Sequence, residues 1–488
     1  MRTLLHFFTA GLVLALAACA NLEPTGPARD KTYAITILHT NDHHGRFWQN
    51  SDGEYGMAAR KTVVDGIRAE VAASGGYSLL LDGGDVNTGV PESDLQDAVP
   101  DFKGMNLLGY DAMAVGNHEF DKSPAVLAMQ RKLATFPMLS ANIYRGGERI
   151  FAPYKLFNLG GVRIAVMGLT TEDTQKLGNP DNMRALEFRS PIQEAAKLVP
   201  ELRAQADVVI AATHMGHYAN GQHGIQAPGD VEMARAVTGL DLVVGGHTQN
   251  PACMKAENVL DSTYVPGTPC QPDRQNGTWI VQAHEWGKYV GRADFQYRNG
   301  AFTLVKYALI PINLKQTAPF AEDPQMLALL QPYQAFGQSK LLVNVGSSDA
   351  RLEGDRSVVR KAPTSLGMLI GQAMMDKTRS DFAVVNAGGI RDSLPAGPIT
   401  YKDILKMQPF GNTLATLRLT GREVLDYLQI AVRMSPGAGG FPHFSGVEVT
   451  TTAGTLAEVR VRGVALDPAG TYQMVINNFM AVGGDGYP

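Results

Sequence analysis

The sequence has few cysteines, little charge and no cluster of basic residues. Three cysteines occur among 488 residues, charged residues make up 18%, and the net charge is −4. Binding of a nucleic-acid polymer depends on neutralising many phosphates, so a chain without a run of lysine and arginine gives that function no support. No internal repeat is evident either. Any nucleotide that this protein handles is therefore expected to be small.

An apolar run is present at the N-terminus, but it is too short for a comfortable permanent membrane span. Arg2 precedes an apolar stretch from Leu4 to Ala18 of about 15 residues, which is typical of an export signal. The stretch ends in Leu-Ala-Ala-Cys19, which resembles the lipobox of bacterial lipoproteins. We expect acylation of Cys19, a polar tether over residues 20–32, and an outer-membrane anchor because Ala20 rather than Asp follows. Cleavage at a small-residue site, leaving a soluble periplasmic protein, is the alternative.

The other two cysteines lie close together in the chain. Cys253 and Cys270 flank a loop rich in proline and glycine. In an oxidising compartment a disulfide between them would stabilise the fold by roughly 3 kcal/mol. Two free thiols are the alternative, and export favours the disulfide.

At about 150 residues per domain, the length indicates two or three domains. Residues 33–322 alternate β-rich runs with amphipathic stretches, which is typical of a layered α/β domain. Residues 323–342 are predicted to form a linker helix and hinge, and residues 343–488 a second domain with a helix over Val359–Met375. The chain ends directly after a turn-like segment, which leaves open whether a final strand or helix of this domain is absent.

Five apolar strands end in polar side chains that can bind metals. The strands begin near Tyr33, Ser78, Asp111, Asp207 and Leu242. Open α/β sheets bind ligands at the carboxyl ends of their strands, and a structural core does not require metal-binding side chains at that edge. The residues that follow the strands are Asp42, His44, Asp85, Asn117, His118, Asp121, His214, His247 and Gln249.

These residue types suit a centre with two metal ions. Asp42 and His44 are two apart, on one side of an extended segment, and Asp85 can bridge two cations with its two oxygens. Mixed nitrogen and oxygen donors favour Zn²⁺, Mn²⁺, Co²⁺ or iron over a thiolate-bound ion. Two such ions about 3.5–4 Å apart hydrolyse phosphate esters or anhydrides. Taken singly, each residue has a structural alternative, such as a core histidine or a helix cap.

The strings around these residues point to a known family. The strings are Leu38–Gly45, Gly116–Asp121, Ala212–Tyr218 and Gly245–Gln249. They resemble the calcineurin-like metallophosphoesterases, and in particular the bacterial periplasmic 5′-nucleotidase and UDP-sugar hydrolase family, from about residue 33 to 488. The resemblance implies an N-terminal four-layer α/β-β/α sandwich followed by an α+β substrate-binding domain.

The resemblance also divides the polar residues between two metal ions and a catalytic pair. One ion would be held by Asp42, His44, Asp85 and Gln249, and the other by Asp85, Asn117, His214 and His247. His118 and Asp121 would form the catalytic dyad, with His118 stabilising or protonating as the phosphorus–oxygen bond breaks.

The C-terminal part contains groups suited to a nucleotide. Arg356, Arg360 and Arg391 can bind phosphate oxygens, and Phe410 and Phe479 lie among polar turn residues. Surface charges and a small packing cluster are the alternatives. The resemblance implies that the two aromatics hold the base, with Asn412 contacting it. It also implies that Asp485 binds the ribose hydroxyls, that Gly439 lines the pocket, and that this domain swings about a hinge near residues 335–345.

We therefore expect a monomeric, lipid-anchored enzyme that uses two divalent ions to hydrolyse 5′-nucleotides and UDP-sugars. A 2′,3′-cyclic-nucleotide phosphodiesterase with 3′-nucleotidase activity is the rival on the same scaffold. A non-catalytic nucleotide-binding lipoprotein is the rival from another class, and the complete ligand set with the His118–Asp121 pair argues against it.

Overall fold

A computed structural model describes residues 26–221, 227–315 and 317–488. The predicted export signal and Cys19 lie outside these ranges. Residues 26–32, the described part of the predicted tether, form neither helix nor strand. No helix in the described ranges is both long enough and apolar enough to cross a membrane.

Two six-stranded sheets form the N-terminal domain. In spatial order, the strands of the first are Ala301–Pro311, Tyr289–Arg298, Tyr33–Thr40, Tyr77–Asp82, Ala112–Ala114 and Met138–Leu139. Those of the second are Asp273–Gln275, Thr278–Val281, Leu242–Val244, Val208–His214, Val162–Thr170 and Tyr154–Leu159. The strands that deliver the predicted metal ligands lie parallel to one another within each sheet, so their carboxyl ends share an edge.

The two sheets pack face to face, with helices on their outer faces. Ile35 and Ile37 of the first sheet share one buried cluster with Ile164 and Val208 of the second. Side chains on the opposite face of each sheet pack on helices instead, because neighbouring residues of a strand point to opposite faces. The predicted four-layer sandwich is confirmed.

Helices and minor strands complete this domain. The α-helices are Met57–Ala73, Pro91–Asp94, Val99–Leu108, Pro124–Leu133, Thr174–Leu177, Pro180–Met183, Pro191–Arg203 and Asp230–Ala236, and a 3₁₀ turn covers His118–Phe120. The minor strands are Ile143–Arg145, Glu148–Arg149, Glu187–Phe188, Met254–Ala256 and Val259–Leu260. The predicted disulfide between Cys253 and Cys270 is present, with their Cα atoms 5.0 Å apart.

The helix Pro324–Leu341 leads from the first domain to the second. Asp323 caps it by accepting a hydrogen bond from the Met326 N–H at 2.8 Å. Met326 and Leu330 are buried in the same cluster as Met57 of the first domain. The helix is therefore packed onto the N-terminal sandwich along its first turns.

The C-terminal domain is built on a four-stranded sheet with a hydrophobic cluster on each face. Its strands are Leu414–Thr420, Thr471–Asn477, Phe382–Asn386 and Pro442–Ser445, in that order. The other strands are Asn344–Ser348, Gly397–Thr400, Val447–Thr452, Thr455–Val461 and Val464–Ala465, and the α-helices are Arg356–Val359, Ser365–Thr378, Tyr401–Met407 and Gly421–Ala431. Short 3₁₀ turns cover Ala387–Gly389, Met480–Val482 and Gly484–Gly486.

The prediction of one continuous helix over Val359–Met375 is wrong. The chain instead forms the short helix Arg356–Val359 and a separate helix that begins at Ser365. Pro363 disfavours helical backbone at the residue before it, and Thr364 caps the second helix by accepting a hydrogen bond from the Gly367 N–H at 3.2 Å. The break leaves Arg360 in a loop.

Candidate active site

The predicted metal ligands emerge from the strand ends on unusual backbone. Asp42, His44, Asp85, His247 and Gln249 all have positive φ, between 49° and 77°. Non-glycine residues rarely adopt this conformation, which costs of order 1–3 kcal/mol each and persists where the surroundings enforce it. Such a concentration of strained backbone at one point is typical of a functional site.

The predicted ligands converge around Asp85. Potential ligand atoms of Asp85, His44 and His118 lie within 4.8 Å of one another, and so do those of Asp85, His214 and His247. Asp85 belongs to both groups and is 1% exposed. This is the arrangement that a carboxylate bridging two cations requires.

The first group surrounds His44. Its Nε2 lies 3.7 Å from Asp42 Oδ1 and 3.9 Å from Asp85 Oδ2. The amide nitrogen of Gln249 lies 2.6 Å from the same Nε2, and a half-turn of that amide would present its oxygen there instead. Asp42 Oδ1 is buried without a hydrogen-bond partner.

The second group surrounds His214 and His247. His214 Nε2 lies 2.9 Å from Asp85 Oδ2, yet the geometry makes no hydrogen bond and the nitrogen is buried. His247 Nδ1 lies 2.9 Å from the side-chain oxygen of Asn117. A buried polar atom without a partner destabilises the folded protein unless a bound ligand contacts it. These nitrogen and oxygen atoms therefore fit a divalent ion.

Backbone carbonyls set which histidine nitrogen faces the centre. Nδ1 of His214 donates to the Gly83 carbonyl at 2.7 Å, and Nδ1 of His44 donates to the Thr88 carbonyl at 2.8 Å. Each hydrogen bond places a proton on Nδ1. The lone pair of Nε2 can then bind a metal ion. Metal-binding histidines are oriented in this way.

The predicted catalytic dyad lies beside the metal ligands. His118 Nδ1 is 2.6 Å from Asp121 Oδ2, and His118 Nε2 is 3.9 Å from Asp85 Oδ2. Burial alone would lower the pKa of His118, but the carboxylates of Asp121 and Asp85 raise that pKa to about 9. The contact with Asp121 orients the ring so that Nε2 faces the centre.

A cavity of about 590 Å³ joins the dyad to the C-terminal domain. All eight residues predicted to bind substrate line it, namely Arg356, Arg360, Arg391, Phe410, Asn412, Gly439, Phe479 and Asp485. So do Asp85, Asn117, His118, Asp121, His247 and Gln249. The predicted phosphate chemistry and the predicted nucleotide contacts therefore share one cavity.

Aromatic and cationic groups are in contact across the domain boundary. The ring of Phe410 stacks on that of His118, with centroids 6.1 Å apart and planes 14° apart, and the Arg391 guanidinium lies 5.4 Å above Phe410. Burial, together with repulsion from Arg356 and Arg391, lowers the pKa of Arg360 to about 9. The Nε of Arg360 is buried without a hydrogen-bond partner.

Asp485 lines the part of the cavity that the C-terminal domain forms. Its Oδ2 accepts a hydrogen bond from Asn386 at 2.7 Å, and burial raises its pKa. A Cβ on Gly388 or Gly439 would come within 2.8 Å of this carboxylate, so only glycine fits beside it.

Comparison with known proteins supports the resemblance seen in the sequence. Residues 35–251 match the calcineurin-like phosphoesterase family, and residues 344–488 match the 5′-nucleotidase C-terminal domain. Protein UshA of Escherichia coli strain K12 is 57% identical over 480 residues, which cover 94% of this chain and 87% of that protein. The chain belongs to the 5′-nucleotidase family. It is a hydrolase with a metallophosphoesterase domain, and that fold implies divalent metal ions.

Other members of the 5′-nucleotidase family match over most of the chain. The 5′-nucleotidase of Vibrio cholerae is 52% identical over 499 residues, covering 98% of this chain and 90% of that protein. The crystal structure of a 5′-nucleotidase precursor from Thermus thermophilus is 32% identical and superimposes with a TM-score of 0.75, covering 93% of this chain and 91% of that one. Both domains are therefore shared with family members.

Several residues of the cavity were not predicted as site residues. Tyr218, Asn386 and the segment Lys176–Asn179 line it. Tyr218 lies in the string Ala212–Tyr218, and Asn386 lies five residues before Arg391, so proximity in the chain to a predicted site residue was the available signal. Nothing local marks Lys176–Asn179, which approaches the cavity only in the folded molecule.

Two further histidines near predicted ligands have structural partners. His43 Nε2 lies 2.9 Å from Asp101 Oδ1, and His217 Nε2 lies 2.8 Å from Asp273 Oδ2. Neither lines the cavity that joins the two domains. Both rings are therefore held by carboxylates outside this cavity.

Proposed function

We propose that this protein hydrolyses 5′-nucleotides to nucleosides and phosphate, and UDP-sugars to UMP and a sugar phosphate. One observation carries the proposal: the buried donor clusters around Asp85 open into the same cavity as the arginines and the two phenylalanines. In both proposed substrates the phosphoryl group is covalently linked to the nucleoside. The phosphoryl group would lie at the clusters around Asp85, and the nucleoside would lie beside the two phenylalanines. The name of the Vibrio cholerae relative, a 5′-nucleotidase at 52% identity, supports a nucleotide substrate.

We assign the ligands by the two clusters. One ion would be held by Asp42, His44, Asp85 and Gln249, and the other by Asp85, Asn117, His214 and His247. The nitrogen and oxygen donors suit Zn²⁺, Mn²⁺ or Co²⁺. When bound, such ions supply charge neutralisation for the phosphoryl oxygens and activation of a water nucleophile.

The chain's own side chains then have distinct roles. Arg356, Arg360 and Arg391 would bind phosphate oxygens, because their guanidiniums line the cavity and Arg360 Nε is unpartnered. His118 would donate its Nε2 proton or hydrogen bond to an oxygen on the reacting phosphorus, while Asp121 fixes the ring through Nδ1.

The nucleoside would be bound by the C-terminal domain. Phe410 and Phe479 offer ring faces to a base, and Asn412 offers an amide to the edge of that base. Asp485 would accept hydrogen bonds from the ribose hydroxyls, since Asn386 engages only its Oδ2. Gly388 and Gly439 lie directly beside this carboxylate, where a Cβ on either would come within 2.8 Å of it.

We also propose export to the periplasm, acylation of Cys19 and an outer-membrane anchor. The support is the N-terminal sequence alone. Labelling of cells with a radioactive fatty acid should mark the wild type and leave a Cys19→Ser variant unlabelled. Equal labelling of both would contradict acylation at this residue.

The test of the proposed function is product formation by purified protein lacking the first 19 residues. AMP, UDP-glucose and a 2′,3′-cyclic nucleotide are compared with chelator and with re-added Mn²⁺, Co²⁺ or Zn²⁺, and UMP is detected directly in the UDP-glucose reaction. We expect metal-dependent turnover of the first two. Turnover of the cyclic substrate alone would indicate the phosphodiesterase, and tight binding without turnover would indicate a binding protein.

A further inference from the structure

Glu119 lies behind the metal ligands, in the string Gly116–Asp121, and has no role in the assignment above. Its side chain is completely buried, with 0% exposure, and it does not line the cavity. It therefore cannot touch a substrate. Its carboxylate nonetheless accepts five hydrogen bonds. All of them come from the loops that carry the predicted ligands.

The two oxygens of Glu119 divide these hydrogen bonds between them. Oε2 accepts from the Gly116 N–H at 2.7 Å and from the Asp85 N–H at 3.1 Å, so it bridges two strand ends. Oε1 accepts from the Val86 N–H at 2.8 Å and from the backbone and side-chain amides of Asn87 at 3.3 Å. One carboxylate thus satisfies four backbone donors that would otherwise be buried without partners.

These contacts fix the residue that both metal clusters share. The backbone of Asp85 has φ 63°, and Glu119 holds its N–H while the His118 N–H holds its Oδ1 at 2.9 Å. The loops are also pressed together, since a Cβ on Gly116 would lie 2.2 Å from Asp85 Oδ1. A carboxylate that accepts several backbone bonds at this point determines where the Asp85 side chain can lie.

We infer that Glu119 is a positioning residue for the metal centre, which orients the shared ligand Asp85 by binding the backbone of both loops that flank it. The inference rests on the proposed function only in taking Asp85 as a metal ligand. This role requires that both Glu119 oxygens act as hydrogen-bond acceptors, because N–H groups donate to each of them. An amide would turn an N–H group toward one of these sets of N–H groups.

The test is metal binding by the whole soluble protein, measured by titrating chelator-treated protein with Mn²⁺ in a calorimeter. Glu119→Gln should raise the dissociation constant for Mn²⁺ about 10- to 100-fold, the usual effect of losing a group that orients a metal ligand. Activity should recover substantially at saturating Mn²⁺, because Glu119 does not touch substrate.

Glu194→Gln is the matched control. Glu194 is also buried in the same domain and is bonded to Tyr144, Arg149 and Lys197, but none of these is a predicted ligand. This variant should lower thermal stability of the metal-free protein while leaving the Mn²⁺ dissociation constant unchanged. A purely structural role for Glu119 would give the same pattern in Glu119→Gln, and that result would overturn the inference.

A second variant covers the case in which Glu119→Gln does not fold. Glu119→Asp keeps both acceptor oxygens but withdraws them by one methylene, so it should still raise the dissociation constant by at least about 3-fold. An unchanged constant in Glu119→Asp would also overturn the inference. Because the titration uses no substrate, a failure of the proposed reaction leaves this result interpretable.

Discussion

His118 is the residue on which the proposed chemistry depends most. Its Nδ1 is bound to Asp121 and its Nε2 faces Asp85, so in the proposed reaction it would donate a proton toward the phosphoryl group. We expect His118→Ala to reduce kcat for AMP by about 10²- to 10⁴-fold, the usual contribution of acid–base catalysis. Metal analysis of the same sample should still find two ions per chain.

His217 provides the control for this prediction. It forms a comparable histidine–carboxylate pair with Asp273 but does not line the cavity. His217→Ala should leave kcat within a few-fold of the wild type. Full activity in His118→Ala would rule out the assigned dyad, whatever the control shows.

Phe479 tests the assignment of the nucleoside pocket. Stacking of a base on an aromatic ring contributes about 1–3 kcal/mol, so Phe479→Ala should raise KM for AMP about 10- to 100-fold. Ribose 5-phosphate has no base, and its KM should change little in the same variant. An equal rise for both phosphate esters would show that the ring acts through packing, since it also contacts Gly484.

At the scale of elements, the site depends on how closely two strand ends approach each other. A Cβ on Gly116 would lie 2.2 Å from Asp85 Oδ1 and 2.6 Å from its backbone nitrogen, so Gly116→Ala must push the two loops apart. We expect this variant to weaken Mn²⁺ binding by about 100-fold or more, because the bridging ligand is displaced. Calorimetric titration measures the change.

Gly66 offers the comparison for Gly116. It lies in the helix Met57–Ala73, and a Cβ there would meet nothing within 4 Å. Gly66→Ala should stabilise the protein by about 0.5–1 kcal/mol in urea unfolding and leave Mn²⁺ binding intact. Intact binding in Gly116→Ala would contradict the close approach on which the shared ligand depends.

The strand ends were predictable because the signal is local. An apolar strand followed by Asp, His, Asn or Gln can be read in the sequence, and parallel strands in one sheet place those residues at one edge. The partition into two ligand sets and the nucleoside contacts came from the resemblance instead. Glu119 was missed because all of its partners except Gly116, namely Asp85 to Asn87, are more than thirty positions away in the chain.

Helix boundaries in the C-terminal domain were less predictable. The apolar pattern from Val359 to Met375 suggested one helix, but Pro363 and the cap at Thr364 divide it. Local backbone chemistry overrode periodicity at that point. As a result, Arg360 lies in a loop that lines the cavity.

At the scale of the whole molecule, the cavity exists because the two domains are in contact. Lys402 of the C-terminal domain is paired with Glu92 of the N-terminal domain, whose side chain is 1% exposed and whose Oε2 has no hydrogen-bond partner. Lys402→Met would leave a buried carboxylate unpaired, at a cost of about 1–3 kcal/mol to this arrangement. We expect a larger radius of gyration in small-angle scattering without nucleotide.

Lys406→Met is the matched control for that variant. Lys406 lies on the same helix but is 3.8 Å from Asp392 within its own domain, and both side chains are exposed. Its loss should leave the radius of gyration unchanged. If Lys402→Met also scatters like the wild type, the cross-domain pair does not hold the domains together.

The central claim is that Asp85 is shared by two metal ions at the end of the cavity. Anomalous diffraction from crystals grown with Mn²⁺ tests it most directly. We predict two anomalous peaks about 3.5–4 Å apart, both in contact with the Asp85 carboxylate, one beside His44 and the other beside His214. A single peak, or two peaks that do not share Asp85, would contradict the account.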